Sequence, residues 1–113
     1  MNDRRPFIRH ITIELWSDLN NVFDPEDFFD KLIDALKLRV VDSRKHLFEN
    51  NGLTKVCILS TSHIALHTWP ELGYIHIDLL SCREDLSETE VESVILSLLR
   101  NEKEIPKYVI RKI

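Results

Sequence analysis

The middle of the chain, residues 39–80, constrains the fold most. It consists of four predicted strand segments, at residues 39–48, 54–59, 63–68 and 73–80, and their connections are short. The pair Asn51-Gly52 after the first segment is typical of a tight hairpin, because both residues tolerate positive φ angles. The sequence therefore predicts strands that are mostly linked by hairpins, in a largely antiparallel sheet.

Two helical segments and two further strands flank this region. Asp24 and Pro25 have the residue types of an N-cap and of a first helical position, and the helix that they begin should end near Leu38. Residues 87–90 fit a capping box at the start of a second helix. Residues 7–16 and 108–113 are predicted as the first and the last strand. The apolar positions at helical spacing are Phe28, Phe29, Leu32, Ile33 and Leu36 in the first helix, and Val91, Val94, Ile95, Leu98 and Leu99 in the second. We expect an α+β two-layer sandwich with both helices on one face of the sheet.

Length and composition indicate a single globular domain over residues 1–113, with 43% hydrophobic and 30% charged residues. A net charge of −4 argues against a nucleic-acid partner. No apolar run is long enough to span a bilayer, and no apolar signal core follows Arg4 and Arg5. We therefore expect a cytoplasmic protein without a membrane partner, in which the two cysteines remain free thiols.

Ser62, His67 and Cys82 place a hydroxyl, an imidazole and a thiol in one short region of the chain. In an unbroken strand, the odd separation of Ser62 and His67 would put them on opposite faces. They can cooperate only if the chain bends near Ser62 or if they meet across a subunit contact. The sequence also has no Gly-x-Ser-x-Gly elbow, so a simple serine hydrolase is disfavoured.

The same region contains residue types that suit zinc, namely His63, His67, His76 and Cys82. His63 and His67 would share a face, but roughly 13 Å apart along an extended strand. We therefore expect no metal site. Cys57 lies in an apolar strand and is interpreted as an inert buried thiol. Cys82 precedes the charged loop 83–85 and is the better candidate for acid–base chemistry.

This region also resembles the self-cleavage segment of the bacterial and archaeal S-adenosylmethionine decarboxylase proenzymes. The resemblance extends over about residues 9–100. The motifs that carry it are His10-Ile11-Thr12-Ile13-Glu14-Leu15, His46-Leu47-Phe48, Gly52-Leu53-Thr54, Ser62-His63, His67-Thr68-Trp69-Pro70-Glu71, Gly73-Tyr74, Asp78 and Cys82. The long His-Thr-Trp-Pro-Glu motif, with a serine and a cysteine correctly placed around it, makes the signal specific.

The resemblance implies that the chain cuts itself. Ser62 Oγ would attack the carbonyl of Thr61 and form an ester, and loss of the Ser62 Cα proton would then expel residues 1–61. His67 is the implied base, and the hydroxyl of Thr54 would assist. Residues 62–113 would then begin with a pyruvoyl group, which forms a Schiff base with the amine of a small-molecule substrate and withdraws electrons as CO₂ leaves.

The resemblance also implies roles in the later reaction. Cys82 would return a proton to the substrate carbon. Phe48 would stack on adenine, and Glu71 would bind ribose hydroxyls or the substrate amine. The family builds its sites near a subunit interface, so a homodimer is expected.

The chain departs from the family pattern at two positions. Thr61 stands where the family usually has glutamate, and Arg83 where glycine usually follows the cysteine. A cation beside Cys82 is expected to favour the thiolate. Three functions follow as hypotheses: decarboxylation of S-adenosylmethionine for polyamine (spermidine) synthesis, decarboxylation of arginine or ornithine by a related enzyme, and an uncleaved, non-catalytic homologue that serves as a binding or regulatory subunit.

Overall fold

A computed structural model describes residues 4–17, 23–102 and 106–113. The elements in chain order are β1 (Arg9–Trp16), α1 (Pro25–Ala35), β2 (Val40–Leu47), β3 (Leu53–Leu59), β4 (Ser62–Trp69), β5 (Tyr74–Ser81), α2 (Glu88–Leu99) and β6 (Lys107–Lys112). A short 3₁₀ turn at Pro70–Leu72 connects β4 to β5. Each predicted strand and helix is present, with ends that differ from the prediction by at most three residues.

The six strands form one sheet in the order β2-β3-β4-β5-β1-β6. All five neighbouring pairs are antiparallel, and β2 to β5 are successive neighbours, as hairpin connections predict. The first strand lies between β5 and β6 rather than at an edge. The prediction of an α+β fold with a largely antiparallel sheet is confirmed.

The sheet has two different faces. Strand alternation places a row of aliphatic side chains on one face, where they are fully or almost fully buried with the apolar residues of both helices. Examples from three strands are Ile11, Ile13, Leu15, Ile64, Leu66, Ile75, Ile77 and Leu79. The opposite face, which we call the open face, carries half-buried polar side chains, among them His10, Thr12, Glu14, His63, His67, His76 and Asp78.

A side-chain N-cap marks the start of each helix. Asp24 accepts hydrogen bonds from the backbone N–H groups of Glu26 and Asp27, both at 3.1 Å, so it is the N-cap that the sequence predicts. Ser87 caps α2 by accepting from the N–H of Glu90 at 3.1 Å. The first helix ends at Ala35, three residues before the predicted end. Two residues beyond it, Lys37 adopts a left-handed conformation with φ 56°, which cannot continue a right-handed helix.

The turn between β2 and β3 forms at the predicted position. Asn51 takes the left-handed conformation, with φ 68°. The adjacent Gly52 is buried, and a side chain there would come within 3.2 Å of the Thr68 carbonyl oxygen on β4. In the described part of the chain, neither helix has the length and apolarity needed to cross a membrane.

Candidate active site

The turn between β3 and β4 contains the bond that the sequence predicts to break. Ser60 and Thr61 alone connect the two strands, and the pairing of Leu59 with Ser62 closes the hairpin. Thr61 is exposed and has a left-handed backbone, with φ 61°. Its hydroxyl donates a hydrogen bond to the carbonyl oxygen of Ser60 at 2.6 Å. The Thr61–Ser62 bond is therefore at a tight surface corner.

Cys82 contacts both sides of this bond. Its backbone N–H donates to Ser62 Oγ at 3.1 Å, and its thiol donates to the carbonyl oxygen of Thr61 at 3.1 Å. Strand pairing explains the approach, because β4 begins at Ser62 beside the end of β5. One hydrogen bond orients the hydroxyl, and the other polarises the carbonyl that this hydroxyl would attack. The structure thus places Ser62, Thr61 and Cys82 together.

Arg83 does not make its hydrogen bonds with the neighbouring thiol. Its guanidinium donates to the carbonyl oxygen of Leu36 at 2.8 Å and of Lys37 at 3.3 Å, at the C-terminal end of α1. It also donates to both carboxylate oxygens of Asp85, at 3.1 and 3.0 Å. Its charge is therefore shared with a carboxylate and a helix C-terminus, and its structural effect is to fix the loop after Cys82.

His67 and Thr54 form a second cluster on the open face. They are opposite each other on β4 and β3, with Thr54 Oγ1 and His67 Nδ1 in a hydrogen bond of 3.0 Å. Burial lowers the pKa of His67 below its ordinary value, and the charge of His76 lowers it further, while Asp78 acts in the opposite direction. His67 is consequently neutral at pH 7, as a general base must be.

A groove of about 590 Å³ extends from this second cluster to the turn after β2. Phe48 lines it together with Thr54, His67 and Trp69. Phe48 is 49% exposed, and its ring meets the His46 ring in an edge-to-face arrangement with the ring centroids 4.6 Å apart. Glu71 is linked to the groove through Asn50, which lines it: the Glu71 carboxylate accepts a hydrogen bond of 3.3 Å from the side chain of Asn50. Of the two predicted substrate-binding residues, Phe48 therefore lines the groove with His67, and Glu71 contacts a lining residue.

Within one protomer these two clusters are at opposite ends of β4. Five residues of extended strand separate Ser62 from His67, or about 17 Å. Ser62 lies on the same face of β4 as the buried Ile64 and Leu66, whereas His67 lies on the open face with His63. Ser62 and His67 therefore lie on opposite faces of the sheet, as the sequence predicts for an unbroken strand.

Sequence reasoning missed a third cluster, centred on Asp78. This carboxylate is bound to His10 Nε2 at 2.5 Å and to His63 Nε2 at 3.3 Å. Burial alone would raise the pKa of Asp78, but its hydrogen bonds and attraction to the two imidazoles outweigh burial and lower it. The sequence contained no signal for this cluster, because His10 reaches Asp78 only through the pairing of β1 with β5.

The other candidate ligands do not form a metal centre. In residues 4–17, 23–102 and 106–113, no group of three or more His, Cys, Asp and Glu side chains is placed to hold a metal ion. Cys57 is 2% exposed, and burial raises the pKa of its thiol, in agreement with the predicted inert cysteine.

Comparisons with known proteins identify one family. The family model of S-adenosylmethionine decarboxylase matches residues 9–112. An S-adenosylmethionine decarboxylase proenzyme of Methanococcus maripaludis (strain C7) is 37% identical over 99 residues, which cover 84% of this chain and 81% of that protein. A proenzyme of the same description from Thermoanaerobacter sp. (strain X514) is 31% identical over 96 residues, covering 81% of this chain and 77% of its own length.

A solved structure is similar in fold. The crystal structure of the adenosylmethionine decarboxylase from Aquifex aeolicus VF5 superposes with a TM-score of 0.67 and 24% sequence identity. The alignment covers 95% of this chain and 90% of that one.

Proposed function

The chain belongs to the S-adenosylmethionine decarboxylase family, a family of carboxy-lyases, and from this membership we propose that it is a proenzyme that cuts itself and then decarboxylates S-adenosylmethionine. The observation that carries the proposal is the pair of hydrogen bonds from Cys82 to Ser62 Oγ and to the Thr61 carbonyl oxygen. A serine hydroxyl is a weak nucleophile, and it gains from a fixed position beside a polarised carbonyl.

The first reaction needs only groups of this chain and water. Ser62 Oγ bonds to the Thr61 carbonyl carbon, the carbon–nitrogen bond between the two residues breaks, and the hydroxyl proton passes to the Ser62 nitrogen. Loss of the Ser62 Cα proton then breaks the Cβ–Oγ bond, and Thr61 leaves as a carboxylate. Water replaces the nitrogen of the remaining dehydroalanine, ammonia departs, and a pyruvoyl group begins the fragment 62–113.

The surroundings of Ser62 fit such a group. The group derives from the first residue of β4, which pairs with β3 on one side and β5 on the other, so the sheet holds its backbone. The pyruvoyl group supplies an electron sink when it is bonded to the substrate amine. Cys82 holds a thiol proton at this end of the strand and is our candidate for returning a proton to the substrate carbon.

We propose a homodimer whose sites use both subunits. One protomer contributes Ser62 and Cys82, and its partner contributes His67, Thr54 and the groove with Phe48 and Glu71. The support is geometric, because the two clusters of a protomer are separated along β4 and by the sheet itself. The half-buried polar residues of the open face are available to line an interface between two copies of the sheet.

The groove favours S-adenosylmethionine over arginine or ornithine. Its exposed aromatic ring, Phe48, offers a flat apolar surface of the kind on which a base stacks. Neither arginine nor ornithine carries such a base. Glu71, beside the groove, supplies a carboxylate that can accept hydrogen bonds from ribose hydroxyls or from the substrate amine.

The test is the mass of the purified chain under denaturing conditions, followed by CO₂ release from labelled S-adenosylmethionine, arginine and ornithine. We expect two fragments divided at Thr61–Ser62, the second blocked by pyruvoyl, and CO₂ from S-adenosylmethionine. Ser62→Ala should leave one intact species, while Ser60→Ala, a matched change in the same turn, should still be cut. An intact 13.3 kDa wild-type chain after long incubation would mean a non-catalytic homologue.

A further inference from the structure

We propose that Thr61 stores backbone strain at the bond to be cut, and that release of this strain contributes to the rate of self-cleavage. The inference rests on the proposed function, and it concerns a residue at which this chain departs from its family. The observation behind it is the left-handed backbone of a β-branched residue, with φ 61° at Thr61. That conformation is unfavourable for L-amino acids in general and a genuine outlier for β-branched ones.

The other left-handed positions give the comparison. In the described residues, φ is positive at Lys37, Asn51 and Gly73 as well as at Thr61. Glycine and asparagine adopt this conformation readily, and lysine is unbranched at Cβ. Thr61 is therefore the only β-branched residue among them. At the other three left-handed positions the chain has a glycine, an asparagine and an unbranched lysine, whereas it has a β-branched residue beside Ser62.

The surrounding contacts prevent Thr61 from relaxing. The connection has only two residues, and the pairing of Leu59 with Ser62 fixes both ends of it. Hydrogen bonds hold the Thr61 hydroxyl to Ser60 and its carbonyl oxygen to the Cys82 thiol. Strained conformations persist only where several such contacts impose them, and they concentrate at functional sites.

The chemistry of cleavage releases the strain. When the Thr61 carbonyl moves from the Ser62 nitrogen to Oγ, the two residues are joined through a side chain instead of a peptide bond. The connection gains rotatable bonds, and Thr61 can leave the left-handed region. After elimination, Thr61 is a free carboxyl terminus. Strain that is present in the precursor and relieved along the reaction lowers the barrier.

The test compares two substitutions in the full-length chain. Thr61→Asn places a residue that tolerates the left-handed backbone at the corner, and it should slow self-cleavage by about 5- to 30-fold, which corresponds to about 1–2 kcal/mol. Thr61→Val is the matched control. It keeps the branch at Cβ, the two-residue connection and the contact of the carbonyl with Cys82, loses only the hydroxyl, and should slow self-cleavage less than Thr61→Asn does. The measurement is the appearance of fragments by mass spectrometry after cell-free synthesis.

A second measurement tests the strain without any cleavage. In the uncleavable Ser62→Ala background, adding Thr61→Asn should shift the urea midpoint of unfolding upward, and adding Thr61→Val should not. No upward shift with Thr61→Asn, or a Thr61→Asn chain that cuts itself as fast as wild type, overturns this inference. An intact wild-type chain overturns the proposed function instead, so the two failures are distinguishable.

Discussion

The backbone N–H of Cys82 donates a hydrogen bond to Ser62 Oγ at 3.1 Å, although twenty residues separate them in the sequence. This hydrogen bond forms because the start of β4 lies beside the end of β5, and no histidine takes part in it. The hydroxyl therefore has a fixed orientation before any base acts on it. Orientation and proton transfer are separate tasks in this chain, and different elements supply the groups for them.

The site shared between two subunits that we propose predicts that two variants, each defective in self-cleavage, complement each other. His67→Ala alone should cut itself on the order of 100-fold more slowly than wild type, since it lacks the base. Ser62→Ala alone should not be cut. When both are co-expressed, a mixed dimer contains one site with an intact Ser62 and an intact His67 of the partner. A tag on the His67→Ala chain should then show fast cleavage in the mixture only.

The control for this experiment is the double variant Ser62→Ala/His67→Ala, co-expressed with the tagged His67→Ala chain. That mixture has no intact His67, so the tagged chain should be cut only at the slow rate of His67→Ala alone. A tagged chain that remains intact with Ser62→Ala as its partner would contradict the shared site and would place both groups in one protomer.

The pH dependence of cleavage follows from the environment of His67. Burial and His76 lower its pKa, so the neutral base persists below the ordinary histidine value of about 6.5. We expect the acid limb of the cleavage rate to have its half-maximal point below pH 6.5. His76→Asn removes one cause of the shift, and its acid limb should move to higher pH. A wild-type rate that is already half-maximal above pH 7 would exclude His67 as the titrating base.

Asp78 should control part of the acid stability of the fold. Its pKa is lowered in the folded state, so the unfolded state binds the proton more tightly. The stabilisation is complete above the ordinary aspartate pKa of about 4 and is lost as pH falls through the lowered value. Between pH 6 and pH 3, wild type should lose on the order of 1 kcal/mol more unfolding free energy than Asp78→Asn, measured by urea titration.

Asp34 provides the control, because its exposed carboxylate on α1 lies away from the two imidazoles. Asp34→Asn should follow the wild-type stability curve over the same pH range. If Asp78→Asn also follows it, the His10–Asp78–His63 cluster contributes nothing to the free energy of folding.

Phe48 should affect substrate binding and leave maturation unchanged. Phe48→Ala removes the exposed ring of the groove, and loss of base stacking costs roughly 1–3 kcal/mol. We expect the KM for S-adenosylmethionine to rise by at least about fivefold while the yield of fragments stays at the wild-type level. Val41→Ala, a change at an exposed residue of the neighbouring β2, should alter neither quantity. An unchanged KM in Phe48→Ala would remove the argument for an adenine-bearing substrate.

Sequence reasoning predicted the elements of the fold because their signals are local. The N-cap Asp24, the Ser87 cap and the Asn51 turn act through contacts within a few residues. The end of α1 was predicted three residues too late because the apolar spacing continues to Leu36, past the point where Lys37 turns left-handed. Periodicity does not detect a change of backbone conformation.

The candidate site was only partly predictable for the same reason. Strand parity correctly placed Ser62 and His67 on opposite faces. Contacts that depend on strand order were not accessible, since no local pattern places His10 beside Asp78 or Cys82 beside Ser62. The prediction for Arg83 considered its sequence neighbour Cys82, whereas its hydrogen-bond partners are Asp85 and the end of α1.

The position of β1 has a consequence for what a cut chain would be. A break after Thr61 assigns β1 to one polypeptide and both of its sheet neighbours, β5 and β6, to the other. To separate, the two pieces would have to break the pairing of β1 with β5 and β6 and the pairing of β3 with β4. The two products should therefore remain one interlocked particle in native buffer and separate only under denaturation. Maturation would then change the covalent chain without changing the molecule's size in solution.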